Sequence, residues 1–196
     1  MPRAPDSGGC RLAVSMGDPR GVGPEVCALA LSGDRMPPGA GVTVVGDRAV
    51  LEAAAEVCGV ELHAETLEAG DPMPASGTAV HDLDNFPAGE LEPRRPDARS
   101  GRASLEYIET AAELVRSGRA DALVTGPINK EAIAAAGSGY PGHTEMLADM
   151  CGAERPVMLM VSGDLRVGMA TTHVALRAVP DELSIDGLLQ VGGLLA

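Results

Sequence analysis

Three short, branched runs recur along the chain with helix-like stretches between them, and this alternation constrains the fold more than any other feature. "RLAVSM" (11–16), "GVTVVG" (41–46) and "DALVTG" (121–126) read as buried strands. Each is followed by a stretch with its own start and stop signals. Pro24 sits where a first helical residue belongs. Asp47 is placed to cap "RAVLEAAAEVC" before Gly59 ends it, and Ser100 to cap "GRASLEYIETAAELVRS" before Gly118. Strand and helix in alternation predict an α/β protein with a mostly parallel sheet and helices on both faces. At 196 residues the chain has enough length for one well-buried core or two small ones. Aromatics make up only 2% of it, so that core must be built from Val, Leu, Ile, Met and Ala, which suits helices on a Val-rich sheet.

Two regions depart from the alternation. Residues 64–99 carry Pro72, Pro74, Pro87, Pro93 and Pro96, which leave room only for a short strand around "TAVHDL" and predict an irregular excursion over the surface. Further on, "PVMLMVSGDLRVGMATT" places two extended runs either side of a Ser-Gly-Asp turn, the pattern of an antiparallel pair, so the sheet is expected to be mixed. A further helix is expected in "PDELSIDGLLQVGGLLA".

A formal charge of −13 argues against nucleic acid or an anionic membrane as a broad-surface partner. Any phosphate must then be held locally. Cys10, Cys27, Cys58 and Cys151 show no CxxC spacing and read as small buried hydrophobes. No N-terminal apolar segment resembles a signal peptide or a spanning helix, so a cytoplasmic protein is expected.

The stretch "SMGDPRGVGPE" (15–25) has the strand, glycine turn, helix layout of a phosphate cradle. Its glycines at 17, 21 and 23 do not have dinucleotide-fingerprint spacing, and Pro24 removes a backbone N–H where a phosphate would need one. The loop reads either as a tight strand-to-helix turn or as the wall of an active site. A second stretch, "VTGPINK" (124–130), ends a strand and opens a helix, where ligands of open α/β sheets collect. Lys130 in it is the chain's single lysine, so it is a candidate for a role that a guanidinium cannot fill, or else a solvated helix-start residue. In "YPGHTE" (140–145) a turn delivers His143 and Thr144 to a helix start, a seat for an anion or carboxylate. His173 in "TTH" ends the second strand of the hairpin and could ligate metal or move protons. No HxH or HxxxH pair accompanies it.

Taken in order, "MGDPRGVGPE", "GRASLEYIETA", "TGPINKEA", "YPGHTEMLA" and "LRVGMATTHVALRAVP" resemble the 4-hydroxythreonine-4-phosphate dehydrogenase family of vitamin B6 biosynthesis. The resemblance runs from about residue 11 to about residue 182. It implies a fold similar to the isocitrate and isopropylmalate dehydrogenases, a homodimer with its site at the dimer interface, and NAD or NADP bound without a Rossmann fingerprint. The implied reaction is metal-assisted oxidation, with decarboxylation, of 4-phosphooxy-L-threonine. Relatives acting on 4-phosphorylated threonate or erythronate keep the chemistry with another substrate. By this resemblance His143 and Thr144 contact the phosphorylated substrate. His173 is one of three histidines holding a divalent metal (Zn, Mg or Co), and Lys130 and Asp18 stand beside the catalytic cleft as candidate catalytic residues. No cofactor-binding residue is assigned. Family members continue well past residue 196, so residues 1–196 are expected to be a truncated N-terminal portion, inactive alone, with an apolar stripe at Leu188, Leu189, Val191, Leu194 and Leu195. A homologue that survives only as a binding module is the other reading.

Overall fold

The computed structural model describes residues 9–33, 36–68, 70–154 and 156–195. The chain forms two compact units, one ending at Cys151 and the other beginning at Gly152. Ala196, the last residue of the expected apolar stripe's segment, lies outside the described residues.

In the first unit the elements are β1 (Arg11–Ser15), α1 (Gly23–Leu31), β2 (Gly41–Gly46), α2 (Arg48–Cys58), β3 (Glu65–Leu67), β4 (Gly77–Asp82), α3 (Ala98–Arg116), β5 (Ala122–Thr125), α4 (Lys130–Ala135) and α5 (His143–Met150). The strands make one sheet in the order β3-β4-β2-β1-β5 with every pairing parallel. Alternation across the pleat divides its side chains between two helical layers. Leu12, Val14, Val42, Val44 and Val124 line a cavity with Val26, Cys27 and Leu31 of α1, while α3 packs on β1, β2 and β5. The three runs that read as strands are therefore adjacent in the sheet, with β2 at its centre and β5 at one edge, and the expected α/β class holds.

Residues 64–99 differ from the expected surface excursion. They supply two strands, β3 and β4, and they bury Met73, Val80, Phe86 and Leu91 in the main core. The prolines shape the connections, but a run as short as "ETL" gives no periodicity to read. Phe86 and Tyr107 are 1% and 0% exposed, so the core uses two of the chain's three aromatic residues. Rings of that size bury about 150–250 Å² each, and between them they tie the proline-rich segment to α3.

The capping expectations fare unevenly. Gly59 ends α2 in the left-handed conformation (φ 65°), as glycine permits. Asp47 stands at the N-cap of α2, but its carboxylate turns away. It accepts from the Asn85 N–H at 2.8 Å, the Phe86 N–H at 3.0 Å and the Tyr107 hydroxyl. Asp82 takes over at α2 by accepting from the Arg48 N–H at 3.1 Å. The cap of α3 lies three residues before the expected one: Asp97 accepts from the Arg99 and Ser100 N–H groups, and the Ser100 hydroxyl accepts from the Asp97 N–H, closing a reciprocal box.

In the second unit β6 (Leu159–Ser162) and β7 (Leu165–Gly168) form the expected antiparallel pair, turning at Gly163 (φ 56°). Instead of joining the five parallel strands into a mixed sheet, they form a two-stranded sheet of their own. The expected C-terminal helix is broken into α6 (Val179–Glu182) and α7 (Ile185–Leu195). Of the expected apolar stripe, Leu188, Leu189, Leu194 and Leu195 are exposed, whereas Val191 is buried.

The cysteines also divide. Cys27 is buried, with its thiol pushed up to about 12 by desolvation, while Cys58 is half-buried and Cys10 and Cys151 are exposed. Among the described residues no helix is long and apolar enough to cross a membrane.

Candidate active site at the carboxyl edge of the parallel sheet

Strands β1 and β5 run side by side and end together, so the turns that follow them meet. The Gly126 N–H donates to the Ser15 carbonyl at 2.8 Å, and the Asp18 N–H donates to the Pro127 carbonyl at 3.0 Å. The approach is too close for side chains. A Cβ on Gly17 (φ 86°) would lie 2.4 Å from the Pro127 oxygen, and one on Gly126 would lie 2.4 Å from the Met16 oxygen. A Cβ on Gly23 would be 2.2 Å from the same Met16 oxygen. The glycines of "GDPRGVG" therefore serve chain packing, and with Pro24 in the first turn of α1 this loop is not a phosphate cradle.

Asp18 lies inside this junction and is 1% exposed. One oxygen accepts from the Arg20 N–H at 2.9 Å, and the other accepts from the Ser100 hydroxyl at 3.3 Å. Burial raises its pKa and the nearby Asp97 adds to the rise, against the lowering effect of those two hydrogen bonds and of the Arg20 charge. Arg20 fastens the loop to the next layer: its Nε and one terminal nitrogen donate to the Glu90 carbonyl at 2.9 and 2.8 Å, and the other pairs with Asp97 at 2.5 Å. Its guanidinium also stands 5.4 Å from the Phe86 ring centre. Both oxygens of Asp18 are thus engaged within the protein.

On the β5 side, Asn129 caps α4 by accepting from the Ala132 N–H at 2.9 Å, which leaves Lys130 as the exposed first residue of the helix. Helix α4 is held against α3 at Gly101, where a Cβ would meet the Ala132 carbonyl at 2.2 Å. Gly142 then caps α5 with no side-chain bond, so the positive end of that helix stays open beside His143 and the exposed Thr144. The Lys130 Cε is 3.7 Å from where a Cβ on Gly142 would stand, which brings the ammonium stem to this helix start. The His143 imidazole bonds to the Gly126 carbonyl, and its Nε2 is buried with no hydrogen-bond partner among the described residues. Desolvation lowers its pKa, against the opposing pull of that carbonyl, so the ring is neutral near pH 7.

The structure therefore gathers Asp18, Lys130, His143 and Thr144 around one junction, with Gly126 and Pro127 as the common link. His173 belongs to the second unit. It is exposed, on the loop after β7, in the left-handed conformation (φ 58°) that a non-glycine residue adopts only under local constraint. Among the described residues no group of three or more His, Cys, Asp or Glu could hold a metal ion. The sequence pattern did not reveal the Arg20, Asp97 and Ser100 network. The three-residue spacing from Asp97 to Ser100 is the one signal that could have pointed to it.

Comparison with known proteins bears on the family and the fold. The family described as "Pyridoxal phosphate biosynthetic protein PdxA" matches residues 40–196. A 4-hydroxythreonine-4-phosphate dehydrogenase from Trichlorobacter lovleyi is 38% identical over 184 residues, covering 92% of this chain and 54% of that protein. A Bradyrhizobium diazoefficiens protein provisionally named a D-threonate 4-phosphate dehydrogenase is 36% identical over 184 residues, covering 92% of this chain and 52% of its own length. Among solved structures, a 4-hydroxythreonine-4-phosphate dehydrogenase from Burkholderia phymatum superposes with a TM-score of 0.84 at 33% identity, over 93% of this chain and 56% of that one. The chain spans about half the length of the curated relatives it matches. On the strength of a match over most of its length, borne on the same α/β fold, this chain belongs to the PdxA family of pyridoxal phosphate biosynthetic proteins.

Proposed function

We propose that this chain carries the substrate-facing N-terminal portion of a dehydrogenase that oxidises a phosphorylated hydroxy acid, 4-phosphooxy-L-threonine, with NAD or NADP as oxidant. The observation that carries the reading is the convergence of Lys130, His143 and Thr144 at the uncapped start of α5, beside the strand-end junction. Lys130 and the open helix end supply positive charge in a chain of net charge −13, and so select an anionic substrate locally. His143, held neutral by burial and steadied by the Gly126 carbonyl, is suited to hydrogen-bond a substrate hydroxyl or to move its proton. Thr144 offers a second hydroxyl contact. We assign Asp18 a positioning role, because it is buried and both of its oxygens are engaged: its carboxylate ties the glycine turn to Ser100 at the start of α3, while its backbone N–H meets the Pro127 carbonyl.

The divalent metal implied by the resemblance does not fit the described residues alone: His173 offers one imidazole where catalytic sites generally use three protein ligands. The nicotinamide cofactor likewise finds no cradle in the glycine loop. His173 stands as one ligand of a site that other residues complete. The homodimer belongs to the same proposal. The name of the Bradyrhizobium relative favours a second substrate, 4-phosphorylated threonate, for the same residues.

The test follows NADH absorbance with NAD, zinc or magnesium and either phosphorylated substrate. The chain alone should give no turnover, and adding the remaining portion of the Trichlorobacter relative should restore it. His143→Ala should then lower the restored rate by about 10²–10⁴-fold. Metal-dependent NADH production by this chain alone, abolished by His173→Ala, would overturn the partial-site reading. Failure of both substrates to perturb the His143 and Lys130 NMR signals of the folded chain would overturn the substrate assignment.

A further inference from the structure

Behind the candidate site a closed circuit of hydrogen bonds joins the glycine loop to the start of α3. The Arg20 N–H donates to one oxygen of Asp18 at 2.9 Å, and the Ser100 hydroxyl donates to the other at 3.3 Å. Ser100 also donates its N–H to Asp97 at 3.0 Å, and the second oxygen of Asp97 pairs with the Arg20 guanidinium at 2.5 Å. The Ser100 hydroxyl proton has the Asp97 carbonyl at 3.2 Å as another acceptor, but a carboxylate is the stronger one. Arg20 is the member that closes the ring. Its side chain is 12% exposed, and its Nε and second terminal nitrogen are both fixed on the Glu90 carbonyl. That division of one side chain between two acceptors uses the rigid fork of a guanidinium.

A short path leads from this ring to the imidazole of His143. The Asp18 N–H donates to the Pro127 carbonyl at 3.0 Å, and the neighbouring Gly126 carbonyl accepts from the His143 ring. Nε2 is the ring nitrogen without a partner among the described residues, so the bond to Gly126 belongs to Nδ1. Nδ1 therefore carries the proton of the neutral imidazole, and Nε2 is a bare acceptor. Which nitrogen is bare depends on where the Gly126 carbonyl stands, and that carbonyl belongs to the turn that Asp18 holds.

We propose that Arg20, acting through Asp97, Ser100 and Asp18, is a positioning residue for His143: the ring holds the Gly126–Pro127 turn in place, and the Gly126 carbonyl then keeps the imidazole as the Nδ1–H tautomer with Nε2 free for a substrate hydroxyl. Only the last step rests on the reading of His143 as substrate-facing; the tautomer is a property of the chain itself. Asp18 is 1% exposed, and a carboxylate so buried keeps its place while both oxygens are partnered. Burial raises its pKa and the Arg20 charge opposes that rise, so loss of Arg20 favours a protonated Asp18 that no longer accepts at both oxygens. The same loss leaves Asp97 without its ion pair at the cap of α3. A reacting side chain keeps its geometry only as well as the groups behind it keep theirs.

Imidazole nitrogen NMR of the folded chain tests this. In the unaltered chain the two His143 nitrogens should differ, Nδ1 protonated and Nε2 not. Arg20→Ala should draw their shifts together, as two tautomers mix, and should speed exchange of the Asp18 amide by about tenfold or more while the β2 amides stay protected. Asp97→Asn keeps an oxygen to cap α3 but loses the ion pair, so it should show the same changes to a smaller extent, and it carries the test if Arg20→Ala does not fold. Arg94→Ala removes a nearby tether outside the ring, the pair with Glu25. It should lower the melting midpoint and leave the His143 signals where they were. The proposal is overturned by an unaltered chain in which Nε2 carries the proton, by His143 signals that do not move in Arg20→Ala and Asp97→Asn, or by an equal displacement in Arg94→Ala. Neither readout needs substrate or cofactor, so such a failure would leave the substrate assignment standing, and a failure of the substrates to bind would leave the tautomer result standing.

Discussion

The two units of the chain contain apolar runs of similar strength and put them to opposite use. In residues 9–151 the strands "LAV" and "VTVV" lie between helical layers, and Val42, Val44, Val45, Phe86 and Tyr107 are each no more than 1% exposed. In the unit beginning at Gly152, "LMVS" and "LRVG" form a lone hairpin, with Met160 58% and Val161 62% exposed, and α7 buries Val191 alone. The difference lies in what faces each element. A parallel sheet with helices on both faces closes its own core, whereas a two-stranded ribbon with one long helix has too little surface to cover what it presents. Apolar periodicity is thus enough to specify an element, but burial needs a facing layer.

The largest expected effect that would sharpen this contrast is in amide exchange. Backbone amides of β2 should open only with global unfolding and those of β6 and β7 far sooner, a difference of about 10³-fold or more for a first unit stable by at least ~5 kcal/mol. Equal protection in the two units would break the comparison. Next in size, Phe86→Ala should destabilise the first unit by about 3–5 kcal/mol in denaturant unfolding, since it empties a ring-sized space between the proline-rich segment and α3. A loss under ~1 kcal/mol would mean that residues 64–99 lie outside the core after all.

Tyr107→Phe should cost about 1–3 kcal/mol, because it removes a hydroxyl that donates to the buried Asp47 and leaves that carboxylate short of a partner. Burial already raises the Asp47 pKa, so in the variant the carboxyl should rise further, which carboxylate NMR titration would detect. A smaller, pH-dependent contribution comes from His143. Its folded pKa lies below the usual 6.5, so on acidification the unfolded chain takes up the proton first. Stability should therefore fall as pH drops through 6.5 toward the folded value, and His143→Gln should flatten part of that slope, leaving the part due to His81, which is depressed in the same sense. Stability that rises over this window would show that His143 is charged in the folded state. Smallest of all, Leu189→Ser in the second unit should change unfolding by less than ~0.5 kcal/mol, because Leu189 is 68% exposed. A loss comparable to Phe86→Ala would show a hidden core there.

The reading of the candidate site follows the same division. The helix starts that carry Lys130, His143 and Thr144 were legible, because each follows a turn and turn chemistry is local. Asp18 was legible as a member of the glycine loop, but not as a buried carboxylate tied to Ser100, because its partner is 82 residues away. Asp47 shows the same limit: its position before "RAVLEAAAEVC" reads as a cap, yet Asn85, Phe86 and Tyr107 claim its oxygens.

By itself the sequence determined the alternation of strand and helix, the hairpin around Gly163, the glycine that ends α2, and the family, because each is written in neighbouring residues. Tertiary structure alone decided that the proline-rich segment belongs to the core, that the hairpin forms a two-stranded sheet of its own, and that the loop glycines serve backbone packing at Pro127 and Met16. It also decided which apolar faces stay open. Periodicity and caps act within a few residues, while the partner that buries a face or takes a hydrogen bond is chosen by contacts across the chain, and a linear pattern carries no record of that choice.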